Sequence, residues 1–597
     1  MDHLATNHRQ PVFPRGAGAT RSTFLWCGLL GASLWAGPRP PLFPALDLDL
    51  PGLAPGEVLL AELDCTACHA AAPAVLDRLR PKPAPRLGQV AARLDPLHVR
   101  AWLLDPLGVK PGTTMPAVLH RLPPAQRETA ADDLVHFLWS LENEPTSPPA
   151  SAAPGSFLRQ QGRILYHQTG CVACHPPYEG PRALFGLAGG GPSDPDAIQY
   201  VLRQLQDNSQ PLPNLAAKYQ PAGLARFLLD PLEVRPGGRM PALNLTEAEA
   251  RAITAYLQAE HARELAEPRS TRGWVVDPTQ AKRGRALFAE VGCAACHELG
   301  PDQPALPSRL VAKPLAELDP DAATGCLATT PPPTAPRYVL SAAQRTALQE
   351  TLRHPDRLRT TPPPAERVVH TLATLNCLAC HSRDGWGGPG ASRSDFFQTL
   401  SDYDLGDEGR LPPHLSGVGH KLRPEWLAEV LTNAGTVRPY MGVRMPQFGT
   451  VNVGPLTAEL LAADARPGRL NPAPPGEVKA GAELVGVNGY ACIQCHRFGP
   501  HPSLGISVMD LTRMTQRLHW DWFRRYLENP GLLRAGTRMP AFWPEGQASV
   551  THILEGDTAR QIASIWAYLS LAAEAPPPPG LLENLPQATD RTAGGYE

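Results

Sequence analysis

The chain is patterned in short stretches whose apolar residues recur three and four positions apart, the signature of helices with one buried face. Clear examples are Leu134-Val-His-Phe-Leu138, Ile253-Thr-Ala-Tyr-Leu257 and Ile562-Ala-Ser-Ile-Trp-Ala-Tyr-Leu569. Others place a glycine ahead of an aromatic, Gly162-Arg-Ile-Leu-Tyr166 and Gly284-Arg-Ala-Leu-Phe288. A third kind leads with the aromatic: Trp102-Leu-Leu-Asp-Pro, Phe227-Leu-Leu-Asp-Pro, Trp426-Leu-Ala-Glu and Trp522-Phe-Arg-Arg-Tyr. Proline-rich spacers, Pro145-Thr-Ser-Pro-Pro-Ala-Ser, Thr361-Pro-Pro-Pro and Asn471-Pro-Ala-Pro-Pro-Gly, divide the helices into groups. Proline fixes its own φ, so these spacers are semi-rigid. The pattern predicts several small helical units in series. Residues 23–37 stand apart as an uncharged, mostly apolar run after Arg15 and Arg21. That is the layout of a signal peptide, with cleavage expected near Ala36 or Gly37 or retention as an anchor. It is shorter than the ~20 apolar residues of a membrane-spanning helix.

Composition narrows the class. The 597 residues carry 55 Lys plus Arg against 57 Asp plus Glu, a net charge of −2, which gives nucleic acid no electrostatic purchase. Gly (52) and Pro (69) make up about a fifth of the chain, which suits short elements on long loops. The 12 cysteines are too few for a disulfide scaffold, so their spacing matters more than their number.

Ten of them form five pairs, each separated by two residues and followed at once by histidine: Cys65/Cys68/His69, Cys171/Cys174/His175, Cys293/Cys296/His297, Cys377/Cys380/His381 and Cys492/Cys495/His496. Two thiols on one turn can form thioether bonds to the two vinyl groups of a haem, with the next histidine placed under the iron. Zinc needs four ligands, usually with a second pair about 12–20 residues on. Here successive pairs lie roughly 80 to 120 residues apart, so the pattern predicts five covalently attached haems c with their iron. Covalent attachment of this kind takes place outside the cytoplasm, in keeping with the apolar run at 23–37. Cys27 leaves with that segment if it is cleaved.

Around these anchors the sequence repeats: a helix, the cysteine pair with its histidine, a loop ending in Met-Pro, and a closing helix. The loops are Pro111-Gly-Thr-Thr-Met115-Pro, Pro236-Gly-Gly-Arg-Met240-Pro, Met441-Gly-Val-Arg-Met445-Pro and Ala535-Gly-Thr-Arg-Met539-Pro. This order resembles class I cytochrome c domains over residues from about 55 to 573. The resemblance implies an all-α chain of five tandem haem domains, 55–145, 155–266, 278–360, 366–470 and 479–575. A signal or anchor at 1–38 precedes them and a tail at 576–597 follows. It also implies that each domain's first and last helices cross and that a loop methionine is the sixth ligand. The implied pairs are Met115 with His69, Met240 with His175, Met445 with His381 and Met539 with His496. Met441 competes with Met445, which is favoured by its Arg-Met-Pro context. Met509 and Met514 fall early and are read as packing.

The third unit departs from the pattern, having no methionine between His297 and the next motif. Aligned on arginine, its segment Ala335-Pro336-Arg337-Tyr338 puts Tyr338 at the ligand position. Aligned on the helix start, it puts Ala335 there and leaves the iron open. His354 and Cys326 are further candidates. The glycine-rich run after His381 reads as a mobile loop. The expected function is an exported, periplasmic or membrane-anchored pentahaem electron carrier that docks with redox partner proteins. Two alternatives stand beside it: a redox enzyme whose third haem binds substrate, and a haem subunit of a membrane complex held through residues 23–37.

Overall fold

The computed structural model describes residues 50–142, 155–181, 184, 209–265, 274–300, 303–322, 324–433, 438–466 and 472–583. The apolar run at 23–37, the 145–151 spacer and the last residues of the tail lie outside them. Ten helices frame the units: α1 (Pro55–Glu62), α2 (Pro124–Trp139), α3 (Ser156–Gln168), α4 (Glu247–Ala262), α5 (Pro278–Glu290), α6 (Ala342–Arg353), α7 (Pro364–Thr374), α8 (Thr450–Ala463), α9 (Val478–Val485) and α10 (Thr558–Leu569). Proline opens α1, α2, α5 and α7, where its missing N–H costs nothing. Capping boxes open α4, Thr246 with Glu249, and α6, Ser341 with Gln344.

In three units the framing helices pack on one another, α3 on α4, α7 on α8 and α9 on α10. The glycine of the helix pattern marks the crossing point. A Cβ on Gly162 would sit 1.9 Å from the Ala252 carbonyl oxygen, and one on Gly481 would sit 2.0 Å from that of Ser564. Only glycine allows backbones this close.

In the first and third units, expected at 55–145 and 278–360, the framing helices pack across the two units. α1 packs on α6, and α5 packs on α2. A Cβ on Gly56 would meet the Ala347 carbonyl oxygen at 2.1 Å, and one on Gly284 would meet that of Asp133 at 2.0 Å. Arg283 of α5 donates two hydrogen bonds, 2.8 and 2.7 Å, to the buried Asp133 carboxylate of α2. Phe288 of α5 lies edge-on to Phe137 of α2, ring centres 5.5 Å apart. Phe288 of α5 joins the apolar cluster of Phe137 on α2, while Leu59 and Leu60 of α1 join that of Leu348 and Leu352 on α6. The chain is thus nested. Residues 50–82 join 310–360, residues 85–142 join 274–309, and the second unit, 155–265, is enclosed between the halves of the latter.

The glycine-rich run after His381 is a tight antiparallel hairpin, Ser382–Arg383 with Trp386–Gly387. Asp384 and Gly385 take the positive φ values its two-residue turn needs, 52° and 89°. The fourth and fifth units share one continuous apolar core.

Candidate haem-binding sites

Each cysteine pair occupies a single helical turn: Cys65–Ala67, Cys171–Ala173, Cys293–Cys296, Cys377–Ala379 and Cys492–Gln494. A residue of positive φ breaks the preceding helix and starts that turn: Asp64 (52°), Gly170 (119°), Gly292 (100°), Asn376 (55°) and Ala491 (50°). Each histidine N–H then donates to the carbonyl of the first cysteine at 2.8–3.0 Å, bringing both thiols and the imidazole together on one turn.

The imidazoles share a second feature. Nδ1 faces a backbone carbonyl in every case: His69 to Lys313 at 2.8 Å, His175 to Gln210 at 3.2 Å, His297 to Pro85 at 2.7 Å, His381 to Pro413 at 2.7 Å and His496 to Met509 at 2.9 Å. A carbonyl only accepts, so Nδ1 carries the proton and the Nε2 lone pair is left for a metal. Burial raises the first thiol of each pair, Cys171 to about 11 and Cys65, Cys293, Cys377 and Cys492 to about 12. Among the described residues no three His, Cys, Asp or Glu side chains converge as zinc would require. The donor set, two thiols and one Nε2 per site, fits haem c.

The carbonyl partners also report the exchange. His69 is oriented by Lys313 and His297 by Pro85, each from the opposite unit. The methionines follow suit. Met115 belongs to the apolar cluster of Cys293 and takes a 2.9 Å hydrogen bond on Sδ from Trp102 Nε1. Met115, expected opposite His69, thus packs with the residues around Cys293. Met240 shares the cluster of Cys171, and Met539 packs on the core that Cys492 also touches.

Backbone pairing fixes what stands in the methionine position of the remaining site. Ala242 and Gln447, each two residues after Met240 and Met445, pair through hydrogen bonds of 2.9 and 2.8 Å. Ala117, two residues after Met115, pairs in the same way with Arg337, at 3.0 and 3.4 Å. Two residues before Arg337 is Ala335, so alanine replaces methionine there. The same register aligns Met445, and not Met441, with Met240. Tyr338 is engaged elsewhere, its hydroxyl donating to the Leu63 carbonyl at 3.3 Å. His354 is exposed and pairs with Glu350 at 3.1 Å. Cys326 is partly buried near Cys65 and Cys68. Tyr338 packs on the apolar cluster that Cys65 also touches, in the half of the third unit that joins residues 50–82. Of the early methionines, Met514 is buried packing, and Met509 takes a 3.1 Å hydrogen bond on Sδ from Arg517.

Two kinds of junction link the sites. In the first, cysteine pairs approach each other. The Cys68 and Cys296 thiols are hydrogen-bond neighbours, and Asn376 donates to Cys174 Sγ at 3.3 Å with Cys380 alongside. In the second, short antiparallel bridges join Leu94 to Tyr219 and Leu422 to Leu518. Asp95 N–H donates to Lys218 O at 2.9 Å and Gln220 N–H to Arg93 O at 3.0 Å. In the other bridge, Arg423 N–H donates to Arg517 O and His519 N–H to Lys421 O, both at 3.0 Å.

Basic side chains collect at these bridges: Arg93, Lys110, Lys218 and Arg235 at one, Lys421, Arg438, Arg517 and Arg534 at the other. Burial, with repulsion from Arg235, Lys218 and Arg239, brings Lys110 down to about 7. Burial brings Arg517 to about 10, with Arg438 and Arg534 repelling it. Among the described residues no carboxylate forms an ion pair with any of the first four. At the second bridge Glu408 pairs with Arg534 at 2.5 Å. Arg517 Nε and Arg534 Nη1 are buried without partners. The sequence carried a signal for this in the basic-apolar-x start of the helix that follows, Arg93-Leu-Asp-Pro96, Lys218-Tyr-Gln-Pro221, Lys421-Leu-Arg-Pro424 and Arg517-Leu-His-Trp520. The arginines before the methionines also tie units together, Arg239 to Glu62 at 3.2 Å, Arg444 to Glu249 at 2.5 Å and Arg538 to Asp404 at 2.7 Å.

Residues 160–260 match the family model described as Cytochrome c. The matched segment runs from α3 through the motif of His175 and Met240 to α4, one whole unit. It supports a c-type cytochrome, a haem electron-transfer protein with covalently bound haem c. Neither the curated proteins nor the solved structures yielded a match. Among the described residues no helix is long and apolar enough to cross a membrane.

Proposed function

We propose that the chain is an exported, pentahaem c-type cytochrome that passes electrons between redox partner proteins. The observation that carries this is the fivefold recurrence of one constellation, a cysteine pair on a single turn with a histidine whose Nδ1 is tied to a backbone carbonyl. Haem c in such a site supplies a one-electron ferric/ferrous couple. The protein's part is to orient each Nε2 through its carbonyl and to present a thioether opposite. The sixth ligands are Met240 for the His175 site, Met115 for His297, Met445 for His381 and Met539 for His496. A thioether is soft and neutral and favours the ferrous state, so these four sites are the high-potential ones. The near-neutral protein charge makes nucleic acid an unsuitable partner, and the apolar run at 23–37 serves export or membrane association.

A second reading attaches to one site. Ala335 supplies no donor at the methionine position of the His69 site, so the sixth position there is left to an exogenous molecule. A redox-enzyme role would therefore reside at His69. Mass spectrometry and haem staining of the denatured protein should find five covalent haems, and fewer would defeat the pentahaem reading. Carbon monoxide added to the reduced protein should bind one site in five and none in Ala335→Met. Absence of binding to the native protein would remove the open site.

A further inference from the structure

The two kinds of junction have a consequence for how the five sites connect. In haem the two vinyl-bearing pyrroles and the two propionate-bearing pyrroles lie on opposite edges of the ring. A site whose cysteines face one neighbour therefore turns its carboxylates the other way. The cysteines of the His175 site face the His381 site across Asn376 and Cys380, and those of His69 and His297 face each other across Cys68 and Cys296. The carboxylate edges of the His175 and His297 sites then point at their shared bridge, Leu94 with Tyr219. That of His381 points at the bridge to the His496 site, Leu422 with Leu518.

Those bridges are where the basic side chains gather. Four cations in a partly buried space repel one another, and desolvation adds to the cost unless anions compensate. Burial and mutual repulsion hold Lys218 and Lys421 well below the ordinary lysine range, the mark of cations short of counter-charge. At the second bridge two buried donors, Arg517 Nε and Arg534 Nη1, have no partner among the described residues. Two haems bring four propionates. The number, sign and position of the basic groups match them.

Resting on the pentahaem reading, we propose that the five sites form one row in the order His69, His297, His175, His381, His496, joined alternately by cysteine edges and by propionate edges seated on the two basic quartets. The spatial order differs from the chain order because the first and third units exchange halves. Electrons entering at His496 leave at the methionine-free His69 site, or travel the reverse way, and no site is bypassed. Lys110, Lys218, Arg93 and Arg235 serve one haem pair, and Lys421, Arg438, Arg517 and Arg534 the other. They are positioning residues that also set potential, since a nearby cation favours the reduced form.

The test is a spectroelectrochemical titration of the intact holoprotein, with the haem count taken first by mass spectrometry. Lys421→Gln should lower the potentials of two of the five centres, and Lys218→Gln should lower those of two others. The carbon monoxide-binding centre should move in neither. Lys421→Arg and Lys218→Arg should restore the native values, which a purely structural defect would not allow. Shifts confined to one centre, common to all five, or overlapping between the two variants would overturn the row. A haem count below five defeats the pentahaem reading instead, so the two failures are told apart.

Discussion

The exchange of halves makes opposite demands on His69 and His297, which stand in identical Cys-x-x-Cys-His motifs. Met115 shares its apolar cluster with Cys293, and Ala335 stands at the methionine position of the His69 site. Replacing His69 by Gly thus removes a site that has no methionine ligand, while His297→Gly removes one that does. In the proposed assignment four methionines ligate, so each contributes about a quarter of the methionine–iron absorption of the oxidised protein. The expected change is none for His69→Gly and a loss of about a quarter for His297→Gly. Ala335→Met should add about a quarter by supplying a fifth thioether. All three variants keep every cysteine pair, so a constant covalent haem count is the internal control. The measurement is optical, or a count of the methionine methyl resonances shifted by the haem ring current in the reduced protein. A loss of one quarter in His69→Gly, with no loss in His297→Gly, would refute the exchange and restore the contiguous units.

Gly284→Val should be costly, because the new side chain meets the Asp133 backbone at 2.0 Å and the Phe137 Cβ at 2.7 Å. The penalty is about 3 kcal/mol, the upper end of overpacking, seen as a lower melting temperature together with loss of Met115 ligation. Stability should also fall with acid through His167, whose side chain is fully buried. Its Nδ1 donates to Arg163 O at 2.8 Å and its Nε2 accepts from Tyr178 N–H at 3.3 Å. Burial holds its pKa at about 4, from 6.5 in the open chain, so the folded state takes up its proton later than the unfolded state. The contribution is complete above pH 6.5 and is lost as pH falls from there to 4, about 3 kcal/mol in all. Denaturation midpoints across that window should show a smaller slope in His167→Gln, and an unchanged slope would sink the assignment.

The parts that were legible in sequence are those whose chemistry is local. Thioether attachment demands two cysteines and a histidine on one turn, and the turn is written in consecutive residues, as in Cys171 to His175. The Met-Pro loops were legible for the same reason. What was hidden is non-local. Gly56 and Gly284 sit at equivalent points of equivalent helices, and neither says which closing helix it will meet. The contacts that accompany that choice are long-range, as between Phe288 and Phe137, which are 151 positions apart. The ligand position of the methionine-free site was ambiguous because Ala335 and Tyr338 each align with one landmark. A backbone pair with Ala117 decides between them. The basic quartets were present as single Lys and Arg residues, and only the fold brings four of them together.

The nested path also sets an order of assembly. The second unit, 155–265, holds both of its helices in one stretch and can form as soon as it emerges. The halves around it must wait for α5, and α1 must wait for α6, roughly 290 residues later. Construction therefore proceeds outward like closing brackets. The cysteine pair nearest the N-terminus is the first exposed to the attachment machinery, yet its site is enclosed only after those of His175 and His297 are complete.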